Sequence, residues 1–325
     1  MRICDCRLPI ADWFRSRRKS EIGNRKSEIW LLLLLSACAR APAPAPIPPL
    51  DPAAFDGGRA LHEAGQLVAI GPRPSGSPGA ERTALHLQRR LQSVGVTAEI
   101  EVFTNDTPRG RMVFRNVVGE LPGATSNLVV LGSHYDTKSG ILDFVGANDS
   151  ASSSGALLEL ARVLAAAPQR PWAVQFCFFD GEECIQSYDA NDGLHGSRHR
   201  AAQLVRSGRA PRVKAVIILD MVGDRDLSVT LPRNGTPTLL AAVLEASYGE
   251  NARDKFRLHP YAVGDDHVPF LEAGMPAVDI IDFDFGSAPG LNDYWHTAAD
   301  TMDKLSADSL QIVGRTTLRT LNALP

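Results

Sequence analysis

The apolar run PWAVQFCFF, residues 171–179, is followed at once by three acids, Asp180, Glu182 and Glu183. No other junction in the chain limits its fold so sharply. A short aromatic and β-branched run opened by proline reads as a buried strand of a mostly parallel sheet. Acids directly after such a strand cannot belong to the core, because an unpaired buried carboxylate is costly. In open α/β sheets ligands bind beyond the carboxyl ends of the strands. The acids therefore stand either in a solvated loop or in a site.

The junction recurs along the chain. LVVLGS leads into His134 and Asp136 in HYD, VIIL leads into Asp220, and YWHT places His296 after the last strand and a long loop. Asp149, in ANDS, opens a run with helical spacing over 149–167, so Asp149 or Ser150 is expected near the N-cap position. Helical spacing also covers 57–71 and 79–95, each with glycine after the last turn, then 196–208, 237–247 and 306–324. VTAEIEVF, RMVFRNVVGEL and PAVDIIDF read as further strands. Strands alternating with helices predict an α/β three-layer sandwich, a mostly parallel central sheet with helices on both faces. Its strand ends would then gather the acids and histidines at one edge.

Composition is that of a globular protein, with 44% hydrophobic and 22% charged residues, and a net charge of −3 gives no support for nucleic-acid binding. Five cysteines are too few and too unevenly placed for a disulfide scaffold. Near the amino terminus an apolar run of roughly nine residues follows Arg25 and Lys26, too short for a membrane span of about 20 but right for a signal-peptide core. It ends LSAC, a lipobox-like sequence that makes Cys38 the expected lipid-anchored first mature residue of an exported bacterial protein, the alternative being a plain secretory signal cleaved near Ala37 or Ala39. The expected organisation is a leader over 1–37 with an over-extended start, a proline-rich tether over 38–54, and a catalytic domain over 55–325.

Histidine nitrogen and carboxylate oxygen suit zinc, and a catalytic zinc keeps three protein ligands and an open position. Adjacent residues at a strand end point different ways. One of Glu182 and Glu183 can therefore ligate while the other handles protons.

The segments HYDTK, GANDSASSSGALLELAR, FFDGEE, GLHGSRH, LDMVGD, GDDHVPFLEAGMPA and YWHT closely resemble the glutaminyl-peptide cyclotransferases, or glutaminyl cyclases, of the zinc-aminopeptidase-like (M28-type) clan. The resemblance runs in order from about residue 56 to the end. It implies one zinc held by Asp149, Glu183 and His296, proton transfer by Glu182, and two further acids at the reacting centre, Asp220 and Asp265. It implies Trp295 as an apolar wall for the substrate glutamine, with Tyr188 and Phe285 as less secure pocket residues. The expected partners are peptides or proteins with N-terminal glutamine, and the expected state is a monomer.

The alternative is a two-zinc aminopeptidase of the same clan, in which His134 and Asp220 would bind a second metal; an inactive zinc-containing surface domain is a minor third. Some features depart from the cyclase pattern. The animal enzymes have a disulfide between the HYD strand and the following helix, where this chain has Ser133 and Ser152 to Ser154. Cys177 and Cys184 are expected as free buried thiols. The segment DFDFGSAPGLND before Trp295 is longer than the family's loop and has two glycines, as a lid would. His195, His199 and His267 read as structural, and Lys138 as a solvated loop lysine.

Overall fold

The computed structural model describes residues 46–325; the leader, Cys38 and the first part of the tether lie outside the described residues. Helices α1 (Gly57–Ile70) and α2 (Pro78–Ser93) precede strands β1 (Thr97–Thr107), β2 (Gly110–Leu121) and β3 (Leu128–His134). There follow α3 (Ser153–Ala166), β4 (Ala173–Phe179), α4 (His195–Arg206), β5 (Val213–Asp220) and β6 (Val229–Leu231). The chain closes with α5 (Pro237–Tyr248), β7 (Phe256–Leu258), α6 (Val268–Glu272), β8 (Ala277–Ile281) and α7 (Ala307–Asn322).

Six strands form one sheet in the order β1-β2-β4-β3-β5-β8. The four central and right-hand strands β4, β3, β5 and β8 run parallel, and β1 and β2 add an antiparallel edge. Their near-continuous apolar runs follow from cover on both sides. In β3, Val129 and Leu131 join the core with residues of α1, α3 and α7, while Leu128 and Val130 join the core with residues of α4 and α6. β5 divides the same way, with Ile217 and Leu219 on one face and Val216 and Ile218 on the other. This is the three-layer architecture expected from the alternation of strands and helices.

Local chemistry sets the helix starts. The Asp56 carboxylate accepts from the N–H groups of Gly58 and Arg59 to cap α1, and Ser77 caps α2 with Pro78 in the first turn. α1 and α3 approach closely because position 155 has no side chain: a Cβ on Gly155 would lie 2.5 Å from the Ala60 carbonyl oxygen.

The structure departs from the sequence reading in three places and adds to it in a fourth. Asp149 is no cap: its backbone is non-helical at φ −104° and ψ 84°, the regular helix begins at Ser153, and no side chain caps it. The tether ends earlier than residue 54, since Leu50 is buried and its N–H donates to Asn322 Oδ1 at 2.8 Å. The short pair β6 and β7 and the five-residue α6 lack the length for a periodic signal. Finally, Ser133 Oγ donates to Ser153 Oγ at 2.9 Å, so hydroxyls join β3 to α3 where the resemblance led to expect a missing disulfide. Cys177 and Cys184 are free and buried, as expected.

Gly155→Val forces a branched side chain into the α1 backbone and should cost about 3 kcal/mol of stability. Urea unfolding followed by circular dichroism measures it; an unchanged midpoint would mean that the two helices have slack.

Candidate metal centre and active site

Parallel pairing brings the carboxyl ends of the strands to one edge. His134, the last residue of β3, sits opposite Phe179, the last of β4, and Asp220 closes β5 opposite Ile281. The acids after β4 therefore emerge directly beside His134.

Three candidate ligands converge. His296 Nε2 lies 3.1 Å from Glu183 Oε1 and 3.3 Å from Asp149 Oδ2. On the other side of Asp149, His134 Nε2 lies 3.1 Å from Asp149 Oδ1 and 3.2 Å from Asp220 Oδ1. Two sets with metal-ligand spacing result, Asp149–Glu183–His296 and His134–Asp149–Asp220, and within each set the ligand atoms lie within 4.8 Å of one another. Asp149 belongs to both.

A divalent cation fits the first set. Asp149 Oδ2 and Glu183 Oε2 are buried and make no hydrogen bond within the chain, which is costly for carboxylate oxygens. Burial pushes the His296 imidazole down, yet Asp149 and Glu183 outweigh it and lift its pKa to about 9. The pocket calls for positive charge, and one imidazole and two carboxylates are a zinc donor set with room for a further ligand.

Other residues hold these ligands in place. The Asp300 carboxylate accepts from the N–H groups of Asn148 at 2.7 Å and Asp149 at 3.0 Å. Arg73, wholly buried, donates to the carbonyls of Tyr135, Val145 and Gly146 at 2.6, 2.6 and 2.9 Å. Asp136 accepts from the N–H groups of Glu182 at 3.2 Å and Glu183 at 3.4 Å, fixing the turn that carries both. His296 itself has φ 55°, in the left-handed region. Arg73 and Asp300 carried no signal in the sequence, where each stands as an ordinary loop residue.

Glu182 is buried and turns toward Tyr188, whose hydroxyl donates to Glu182 Oε2 at 3.3 Å. Burial, with Asp265, Glu183 and Asp266 nearby, holds its carboxyl well above the usual carboxylate range. Asp265 is pushed up in the same way by burial and by Asp220 and Asp266. Asp220 is raised as well, chiefly by burial. A raised carboxyl can both take and release a proton near neutral pH.

Trp295 stacks on His296, ring centroids 3.9 Å apart, and so stands beside the candidate ligands as expected. Phe285 does not: it is fully buried with Met221 and Ile281 beneath the loop. Phe283, two residues earlier, is half-buried and meets Trp295 edge-on at 6.1 Å. Lys138 is also corrected, because its Nζ sits 3.4 Å from Glu183 Oε2 and 3.1 Å from Cys184 Sγ. His195 and His199 stack on Phe114 and Phe103; His267 is buried, with Asp279 3.9 Å from its Nδ1, and burial pushes it down to about 4. The 282–294 loop is braced across its base, where Ser287 donates to both carboxylate oxygens of Asp293, each at 2.6 Å.

Residues 116–321 match the family model of peptidase family M28. The glutaminyl-peptide cyclotransferase-like protein of Mus musculus is 32% identical over 278 residues, spanning 75% of this chain and 70% of that protein. Among solved structures, Acidobacteriales bacterium glutaminyl cyclase superposes with a TM-score of 0.77 at 36% identity, covering 87% of this chain and 97% of that one. Porphyromonas gingivalis glutaminyl cyclase gives 0.75 at 27% identity, over 82% and 98%.

Asp180, the first acid of the opening junction, serves the framework. Its oxygens accept from Ser75 Oγ at 2.6 Å and the Arg115 N–H at 2.8 Å, and burial beside Asp136 raises it to about 7. Because the folded value lies above the ordinary one, its contribution to stability is full below about pH 4 and lost as pH rises through about 7. Asp180→Asn removes that loss. Denaturant melts across pH 5–8 should show the variant gaining on the wild type as pH rises, by at most about 4 kcal/mol; a constant difference would refute the assignment.

Proposed function

The chain belongs to peptidase family M28, and from that premise we propose that it is a glutaminyl-peptide cyclotransferase, converting N-terminal glutamine of peptides to pyroglutamate with release of ammonia. The observation that carries this reading is the division between two adjacent glutamates. Glu183 enters the set with Asp149 and His296, while Glu182 stays outside it and accepts from the Tyr188 hydroxyl. Glutaminyl cyclases of similar fold and sequence support it.

Asp149, Glu183 and His296 would hold one zinc ion. When bound, zinc supplies a Lewis acid that polarises the substrate's γ-carbonyl. The chain's own residues do the rest. The peptide's α-amine enters as the free base and is held by hydrogen bonds to the buried acids. Glu182 takes a proton from that nitrogen as it bonds to Cδ of the same glutamine, closing a five-membered lactam. It then returns the proton to the departing side-chain nitrogen, so the old C–N bond breaks and ammonia leaves. Asp220 and Asp265, both raised, share protons with Glu182 and hold the reacting nitrogen. Trp295 and Phe283 wall the glutamine side chain and keep water away. We also propose that a lipid at Cys38 anchors the exported protein to the cell envelope, and that the domain acts as a monomer.

The His134–Asp149–Asp220 set favours a second reading, a two-zinc aminopeptidase. A Gln-initiated and a Leu-initiated peptide, each with and without chelator, separate the two. Chelator-sensitive ammonia from the first, with the second intact and about one zinc per chain by elemental analysis, is expected. Free leucine and two zinc ions would establish the aminopeptidase. Glu182→Gln should lower kcat by about 10²–10⁴-fold while leaving the zinc content unchanged; loss of zinc would make Glu182 a ligand instead.

A further inference from the structure

We infer that an aromatic strip leading from the metal centre to the surface is the binding site for the peptide beyond its first residue, and that it selects aromatic or bulky apolar side chains at the third and fifth positions. This rests on the peptide-cyclising reading above and extends it. Trp295 stacks on His296 at 3.9 Å. Phe283 meets Trp295 at 6.1 Å, His259 meets Phe283 at 6.0 Å, and Tyr261 meets His259 at 5.9 Å. The row is thus continuous with the candidate site at one end and open at the other, where Tyr261 is 71% exposed and belongs to no core cluster.

An exposed tyrosine alone would mean little. Its place in this row is what matters. Side chains two residues apart on an extended chain fall on one face about 6.6 Å apart, close to the spacing of the rings. With glutamine against Trp295, the third residue reaches Phe283, one step along the row, and the fifth reaches His259, two steps along, with Tyr261 at the open end beyond. The far end of the strip is also held still. Asn234 accepts from the Val263 N–H at 3.1 Å and donates to the Val263 carbonyl at 2.9 Å, while the Tyr261 N–H donates to His259 Nδ1 at 3.3 Å. The His259 ring, held by that bond, meets a bound side chain with little ordering cost.

The test compares two amidated pentapeptides, Gln-Ala-Phe-Ala-Phe and Gln-Ala-Ala-Ala-Ala, by calorimetric Kd and by KM for ammonia release. The phenylalanine peptide should bind the wild type roughly three- to ten-fold more tightly, the scale of aromatic contacts. His259→Ala should bring that ratio about halfway to one, and His259→Phe should keep it. Because the ratio is taken within each variant, a general loss of activity leaves it unmoved. Equal binding of the two peptides by the wild type, or a ratio unchanged in His259→Ala, would overturn the inference. Should neither peptide release ammonia, the cyclase reading falls, and the calorimetric ratio still decides the strip.

Discussion

The carboxylate of Asp149 lies between two imidazoles, His134 on one oxygen and His296 on the other, and the rest of the site is arranged around that contact. Glu182, Glu183, Asp220, Asp265 and Asp266 are buried within the same region. Removing several carboxylates from water costs several kcal/mol each unless positive charge or donors answer them. The fold meets this cost with a rigid cradle. Four parallel strands end at one edge and set the backbone positions. Arg73 then ties the Val145–Gly146 turn to the end of β3, and Asp300 holds the Asp149 N–H from the opposite side. Loop residues that touch no substrate therefore decide where the central carboxylate points.

The same physics explains what was legible in the sequence. The central strands are buried on both faces, so their uniform apolar runs stood out, and the polar residue ending each run marked the site edge. That pattern located His134, Asp149, Glu182, Glu183, Asp220 and His296, and the structure brings all of them together. It carried less about orientation. Asp149 at the head of an apolar helical run looked like a cap, yet it turns into the site because the backbone there is not helical. Phe283 and Phe285 share one short segment with the same composition, and only the path of the loop decides that Phe285 is buried while Phe283 meets Trp295. Lys138 looked solvated because glycine and serine surround it, whereas a partner 45 positions downstream, Glu183, draws it in. Contacts of this kind depend on tertiary placement, which no local window contains.

His134 bears on the choice between one cation and two. Its ring donates or accepts toward both Asp149 and Asp220, with Asp136 3.6 Å from the other nitrogen. Burial alone would push the imidazole down; Asp220, Asp136 and Asp149 outweigh it and hold the pKa well above its ordinary value. Protonated, His134 satisfies the same two carboxylates by hydrogen bonds from its Nε2. Held at Oδ1 by this imidazolium, Asp149 presents Oδ2 toward His296 and Glu183. His134, Asp149 and Asp220 keep the spacing of a second ligand set, so the zinc content per chain decides between the two readings. His134 thus orients the shared carboxylate, and the same nitrogen holds Asp220 beside it.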